Sequence, residues 1–346
     1  MKNSSSLVSI IILNFNGGKM VLDCINSIYE TKNILYEIIL IDNASSDNSL
    51  EQCKKNFSNI KIIENEKNIG LGARNSGIKV AQGEFIVFLD FDTVVEPYWL
   101  ENLLTSFNNN GNGLYQPKLL EKERPKIFNS AGNMLNIFGM AYSRGKGEQD
   151  VGQYDQFTKI GYTSGACTFT SKENIEKIGE IDPMFFAYHD DVDYGWRALL
   201  LNINSYYEPS SVVYHYGSKT LKWTAKKFYL LERNRWICLK TLYSPTSMKK
   251  LLPYLIIIEL GISVFFMSKG IFHEKIRAFF SLIKLKKELK SRRHEIEKTR
   301  ICSDEKIIEH FVDDFYLPSK NGQNNKSFFT KTVENLSKKA RISLNK

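Results

Sequence analysis

Cysteine is sparse and unpatterned in this chain. Cys24, Cys53, Cys167, Cys238 and Cys302 are scattered over 346 residues with no CxxC pair. An odd, unspaced set argues against a disulfide framework and fits reduced, buried thiols of a cytoplasmic enzyme. No secretory leader is evident, because residues 1–6 are short and polar and residues 7–13 (LVSIIIL) read as a strand. Internal repeats are absent. A dinucleotide-binding fingerprint is also missing: Gly70, Gly72 and Gly77 are spaced GxGxxxxG and follow no strong strand. Aromatic residues do not interleave with the basic runs, so no nucleic-acid partner is expected.

What is present is a globular composition, 42% hydrophobic and 25% charged, with an uneven charge. Residues 1–217 carry a net charge of −7 and residues 218–346 a net charge of +16. An acidic part is followed by a basic one. In the acidic part, buried-strand runs at 7–13, 37–41 (EIILI), 60–63 and 85–89 (FIVFL) alternate with helical patterns at 21–29 and 73–81. That alternation predicts an α/β fold with a mostly parallel sheet flanked by helices. Segment 111–170 reads as short strands and loops, 190–202 as a helix and 211–215 as a strand. Helices are expected at 225–242, 253–267 and 271–300, and a disordered polar tail at 319–346.

Ligands of such sheets sit beyond the carboxyl ends of the strands. Three polar segments fall there: Asn14-Phe15-Asn16-Gly17, Asp42 to Asp47, and Asp90-Phe91-Asp92. Two carboxylates one residue apart at a strand end suit Mg²⁺ or Mn²⁺, which bind diphosphates through one or two protein carboxylates. The run His189-Asp190-Asp191-Val192-Asp193 is either an acidic helix start, favoured by the helix dipole, or the seat of a general base. His215, at the end of a strand, is either structural or a metal or phosphate ligand.

Together these stretches resemble the family 2 glycosyltransferases, whose nucleotide-sugar-binding fold is called GT-A. The likeness rests on VSIIILNFNG (8–17), IDNASSDNS (41–49), NIGLGARNSGI (68–78), FLDFDTVVEP (88–97), the segment 164–186, DDVDYGWR (190–197) and VVYHYGS (212–218). It implies inverting transfer of a sugar from a nucleotide-diphosphate donor to a hydroxyl of a glycan or lipid-linked acceptor, for cell-surface polysaccharide or glycoconjugate synthesis. Asn14, Asn16, Asp42, Arg74, Asn75 and Asp90 would lie on the donor side. Asp92, with Asp90 and His215, would hold the metal. Gly165 and Ala166 resemble the loop near the acceptor. Asp191 is similar to the aspartate of the family's Glu-Asp base motif, which here reads Asp190-Asp191, so Asp190 is a second candidate. The metal motif is Asp-Phe-Asp rather than the Asn-Pro-Asp of rhamnosyltransferase-like members, which does not favour a deoxythymidine-diphosphate rhamnose donor.

The resemblance divides the chain into a catalytic domain over 1–222, a helical basic region over 223–318 and the tail. Residues 251–267 are strongly apolar but interrupted by Pro253 and Glu259, and Lys284, Lys286, Lys287, Lys290, Arg292 and Arg293 follow. That pairing fits either core helices or peripheral attachment to an anionic membrane surface at the inner face of the cell membrane. Two rivals remain. A nucleotidyltransferase of similar architecture would want a Gly-rich, Arg-containing loop after the first strand. A non-catalytic sugar- or membrane-binding scaffold would not need Asp42, Asp90, Asp92 and Asp191 together.

Overall fold

The computed structural model describes residues 6–217, 224–316 and 327–345. The chain runs β1 (Val8–Asn14), α1 (Gly18–Tyr29), β2 (Tyr36–Asp42), α2 (Ser49–Asn56), β3 (Lys61–Glu64), α3 (Arg74–Val80), β4 (Phe85–Asp90), β5 (Thr93–Val95) and α4 (Trp99–Asn110). Next come β6 (Gly113–Glu121), β7 (Arg124–Ser130), β8 (Asn133–Leu135), β9 (Ala141–Ser143), β10 (Thr158–Ile160), β11 (Cys167–Ser171), α5 (Lys172–Ile178), α6 (Asp190–Leu200) and β12 (Asn204–His215). The remainder is helical: α7 (Ala225–Leu242), α8 (Pro245–Ser268), α9 (Phe272–Lys284), α10 (Lys286–Thr299), α11 (Asp304–Ile308) and α12 (Phe328–Leu344).

Ten strands form one sheet, ordered β10-β12-β6-β11-β4-β1-β2-β3, with β5 and β7 added at β12 and β6. β1 is buried along its whole length, as a strand covered on both faces must be. It runs parallel to both neighbours, β2 and β4. The sheet is mixed, not mostly parallel: β11 is antiparallel to β4 and β6, and β10 and β5 are antiparallel to β12. The cause lies in the middle segment, whose short strands return directly instead of through crossover helices. Helix α3 lies so close over the sheet that a Cβ on Gly77 would sit 2.8 Å from Ile11 Cγ2 and 2.9 Å from Ile41 Cδ1.

The C-terminal helices do not build a separate core. Ile237 and Leu242 of α7, Leu255 of α8 and Leu282 of α9 share one apolar cluster with Val192, Trp196 and Leu199 of α6. A largely buried charge quartet ties three of these helices together. Arg235 pairs with Glu232 at 3.0 Å and with Glu259, and Lys275 pairs with Glu232 at 2.6 Å and with Glu259. The run expected as one helix over 271–300 is two helices meeting at Leu285.

The disordered tail is corrected in part. Residues 319–326 lie outside the described residues, but α12 is a capped helix, with Ser327 Oγ accepting from Thr330 N at 3.2 Å. Its Val333, Ala340 and Leu344 are buried in the same cluster as α8, a periodic apolar stripe that the surrounding Lys, Ser and Thr conceal in the sequence.

Candidate active site

Strand register assembles the site. Asn14 pairs with Asp42 across β1 and β2, and Leu13 pairs with Asp90 across β1 and β4. The polar ends therefore meet on one edge, as the alternation of strands and helices predicted. Antiparallel pairing of β5 with β12 sets His215 opposite Thr93, next to Asp92.

Ligand atoms of Asp90, Asp92 and His215 lie within 4.8 Å of one another. Oxygen and imidazole donors at that spacing fit a divalent cation with metal–ligand distances of about 2.0–2.6 Å. His215 Nε2 is 3.3 Å from Asp92 Oδ1, and its Nδ1 is 3.2 Å from Asn129 Oδ1. A proton on Nδ1 donated to Asn129 leaves the Nε2 lone pair on the side of the carboxylates, the usual outer support of a ligating histidine. Burial alone would lower the imidazole. The Asp92 and Asp90 carboxylates outweigh it and hold His215 above its ordinary value.

Arg74 is the buried link between the metal corner and the far side of the site. Its Nη2 donates to Asp90 Oδ1 at 2.5 Å and to Gly165 O at 3.1 Å. Asp90 N in turn donates to Ala166 O at 3.0 Å. Burial pushes the Asp90 carboxyl up, against the pull of the Arg74 guanidinium.

Across the same loop stands Asp191. Its Oδ1 accepts from Val192 N at 2.9 Å and its Oδ2 from Gly165 N at 3.4 Å. Burial pushes it up to about 6 despite these donors. Asp190 is raised as well, by burial and then by the neighbouring Asp191. Asp193 is different. It is paired with Arg197 at 2.9 Å and with Arg292 of α10, which also holds Asp182 at 2.6 Å. The three acids thus split into one ion-paired anchor, Asp193, and two carboxyls with no cation partner among the described residues, of which Asp191 meets the Gly165 loop.

Other residues expected on the donor side are held in hydrogen bonds that shape the ends of β1 and β2 and the start of α3. Asp42 is 2% exposed and accepts from Asn14 Nδ2 at 2.8 Å, Ser45 N at 2.9 Å and Ser45 Oγ at 2.6 Å. Asn16, at φ +53°, is exposed and accepts from Ser46 N at 2.7 Å, closing the loop onto that of β1. Both ends of the Asn75 amide engage the Ile181 peptide, at 2.8 and 2.9 Å. It fastens the segment before α6 to α3.

Two residues escaped the sequence reading altogether. The approach to α6 is strained, with Phe186, Tyr188 and His189 all near φ +60°. Asn234 of α7 donates to Phe185 O at 3.0 Å, Ala187 O at 2.9 Å and Tyr188 O at 2.7 Å, and Arg233 Nη2 to Met184 O at 2.7 Å. His189, which starts the helix, is buried, faces Gly139 O at 3.2 Å and is lowered to about 4, so it is neutral at pH 7. No spacing in the sequence marks Asn129 or Asn234, because each acts on a distant segment.

Comparison with known proteins bears on this geometry. The model of "Glycosyl transferase family 2" matches residues 9–179. The poly-beta-1,6-N-acetyl-D-glucosamine synthase of Staphylococcus epidermidis is 27% identical over 265 residues, 73% of this chain and 60% of that one. The cholesterol galactosyltransferase of Borreliella burgdorferi is 42% identical over 104 residues, 28% of each chain. The chain spans 31% and 34% of the length of two further relatives. Among solved structures, GalNAc-T7 with UDP, GalNAc and Mn²⁺ superposes with a TM-score of 0.52 at 18% identity, over 61% of this chain and 43% of that one. The fold is therefore that of the GT-A glycosyltransferases, and residues 9–179 of the chain match glycosyl transferase family 2.

Proposed function

We propose that the chain transfers a sugar from a nucleotide-diphosphate donor to a hydroxyl of a glycan or lipid-linked acceptor, with inversion, in the building of a cell-surface polysaccharide or glycoconjugate. The observation that carries this reading is the Gly165 loop, with Arg74 and the Asp90–Asp92–His215 corner on one side and Asp191 on the other. Asp90, Asp92 and His215 would hold Mg²⁺ or Mn²⁺, which supplies positive charge to the departing diphosphate. Asp191 takes the proton of the attacking hydroxyl. Of the two neighbouring acids, Asp191 is the one whose carboxylate meets the Gly165 loop, and it is therefore the base. Arg74 fixes Asp90 and the loop together, so that donor and base are held in one frame.

The relatives support the substrate class: one is named for a poly-N-acetylglucosamine product, another for a cholesterol acceptor, and the structural neighbour holds UDP, GalNAc and Mn²⁺. An acceptor carried on lipid places the work at the inner face of a membrane. The nucleotidyltransferase reading loses its support at β1, where the following loop is built from Asn16, Ser45 and Ser46 with no arginine among the bonds that shape it.

Calorimetry with a panel of nucleotide sugars, with and without Mn²⁺, tests the proposal. One donor should bind wild type in a metal-dependent way, and Asp92→Ala should remove the metal dependence. Metal-independent binding of equal strength in both would defeat the metal corner, and no donor binding at all would favour a scaffold.

A further inference from the structure

Outside the active site, α7, α8, α9 and α10 enclose an open cleft of about 380 Å³. Its walls carry Lys240, Lys286, Lys290 and Arg293 over a floor that includes Met248 and Leu289, and no Asp or Glu lines it. Among the described residues none of the three lysines has a carboxylate partner, and Arg293 Nε is buried with no acceptor. Four cations crowded over apolar side chains, with Arg293 also donating through Nη2 to Tyr243 O at 3.4 Å, make a site for an anion with several acceptor oxygens.

The cleft also lies at one end of an exposed apolar face. α8 and α9 are joined by a short turn and so run antiparallel. From Met248 the stripe continues on α8 through Leu252, Ile256, Leu260 and Val264, each at least 51% exposed. From Lys286 it continues back along α9 through Ile283, Phe280, Phe279 and Ile276. Exposed apolar surface of this extent marks a docking face. Exposed Lys249, Lys269, Arg277 and Lys284 border it.

We propose that the cleft binds the phosphate of an anionic phospholipid headgroup and thereby seats the α8–α9 face in the boundary of a bilayer. This deepens the proposed work at a membrane and rests on it for its purpose, not for its observations. α8 is long and apolar enough to cross a membrane, but it lies along one instead. Its Leu251, Leu255, Ile258 and Phe266 are buried in the protein, and its Glu259 is bound by Arg235 and Lys275. A second copy of the chain fits poorly, because two-fold pairing of this face would oppose like charges.

The test is co-sedimentation of the full chain with vesicles of phosphatidylcholine alone or mixed with phosphatidylglycerol. Wild type should be recovered with the mixed vesicles. Lys286→Ala/Lys290→Ala should lower that recovery about tenfold more than the charge-matched pair Lys284→Ala/Lys287→Ala, since a headgroup seated in the cleft adds direct bonds to the general attraction. Leu260→Ser/Phe280→Ser should abolish it. Equal losses in the two lysine pairs would overturn the cleft and leave only diffuse charge. Displacement from the vesicles by inorganic phosphate would assign the cleft to a soluble anion. A dimer in solution that Leu260→Ser/Phe280→Ser dissolves would assign the face to a second copy. Calorimetric donor binding by the same variants should be unchanged, which separates failure here from failure of the proposed catalysis.

Discussion

Asp191→Asn is expected to lower turnover by about 10²–10⁴-fold, the range for loss of a positioned general base, while nucleotide-sugar binding stays as in wild type. The amide is nearly isosteric, and its oxygen can still accept from Val192 N or Gly165 N, so the helix start is preserved. What it cannot do is take a proton. The pH dependence follows with a definite sign. The base acts only when ionised, and burial holds Asp191 up at about 6. Activity should therefore be level above pH 6 and fall about tenfold per unit below it. This acid limb should be missing from the residual activity of Asp191→Asn. Asp190→Asn should keep most of the wild-type rate, because it is the Asp191 carboxylate that meets the Gly165 loop. Near-normal turnover in Asp191→Asn, or equal losses in the two variants, would move the base elsewhere.

Asn234→Ala is expected to cost about 2–4 kcal/mol in denaturant unfolding, a loss in the class of broken buried hydrogen-bond networks. One amide serves the carbonyls of Phe185, Ala187 and Tyr188, in a segment where Phe186, Tyr188 and His189 sit in left-handed backbone. Such conformations persist only where surrounding bonds impose them. Relaxation of the segment would turn the first turn of α6, and Asp191 with it. The variant should thus lose turnover even below its unfolding transition, with donor affinity retained. Asn234→Asp tests the geometry: its carboxylate has no N–H to give, so it should be no better than alanine. A stable Asn234→Ala with normal turnover would show that the Asn234 amide does not hold the segment before α6.

Much of this was readable in the residues. The strands β1, β2 and β4 are continuous apolar runs in the sequence, and their polar ends mark the site edge. The acidic cluster and His215 were visible as residues but open as to role, because a carboxylate beside a helix start looks the same whether it anchors or reacts. Only the positions of Arg197 and Arg292 separate Asp193 from its neighbours. Asp42 and Asn75 were legible as important and not as structural, since they bond to the Asn14 amide and to the Ile181 peptide, which sequence spacing does not bring near. The mixed sheet was hidden in short strands of weak pattern, and α12 in a polar composition. The C-terminal helices offered two readings, core or membrane-bound; α8 buries Leu251, Leu255 and Ile258, and its exposed Leu252, Ile256 and Leu260 are the face proposed to meet a membrane.

The charge quartet between α7, α8 and α9 sets a rule for exchange between relatives. Glu232, Arg235, Glu259 and Lys275 sum to zero, and loss of any one strands a charge at a cost of about 3–5 kcal/mol. These helices can therefore drift in sequence at the surface but must be inherited as a block. A chimaera joined to a homologue with a different quartet should fail when its junction falls between residues 232 and 275, and fold when the junction lies outside them.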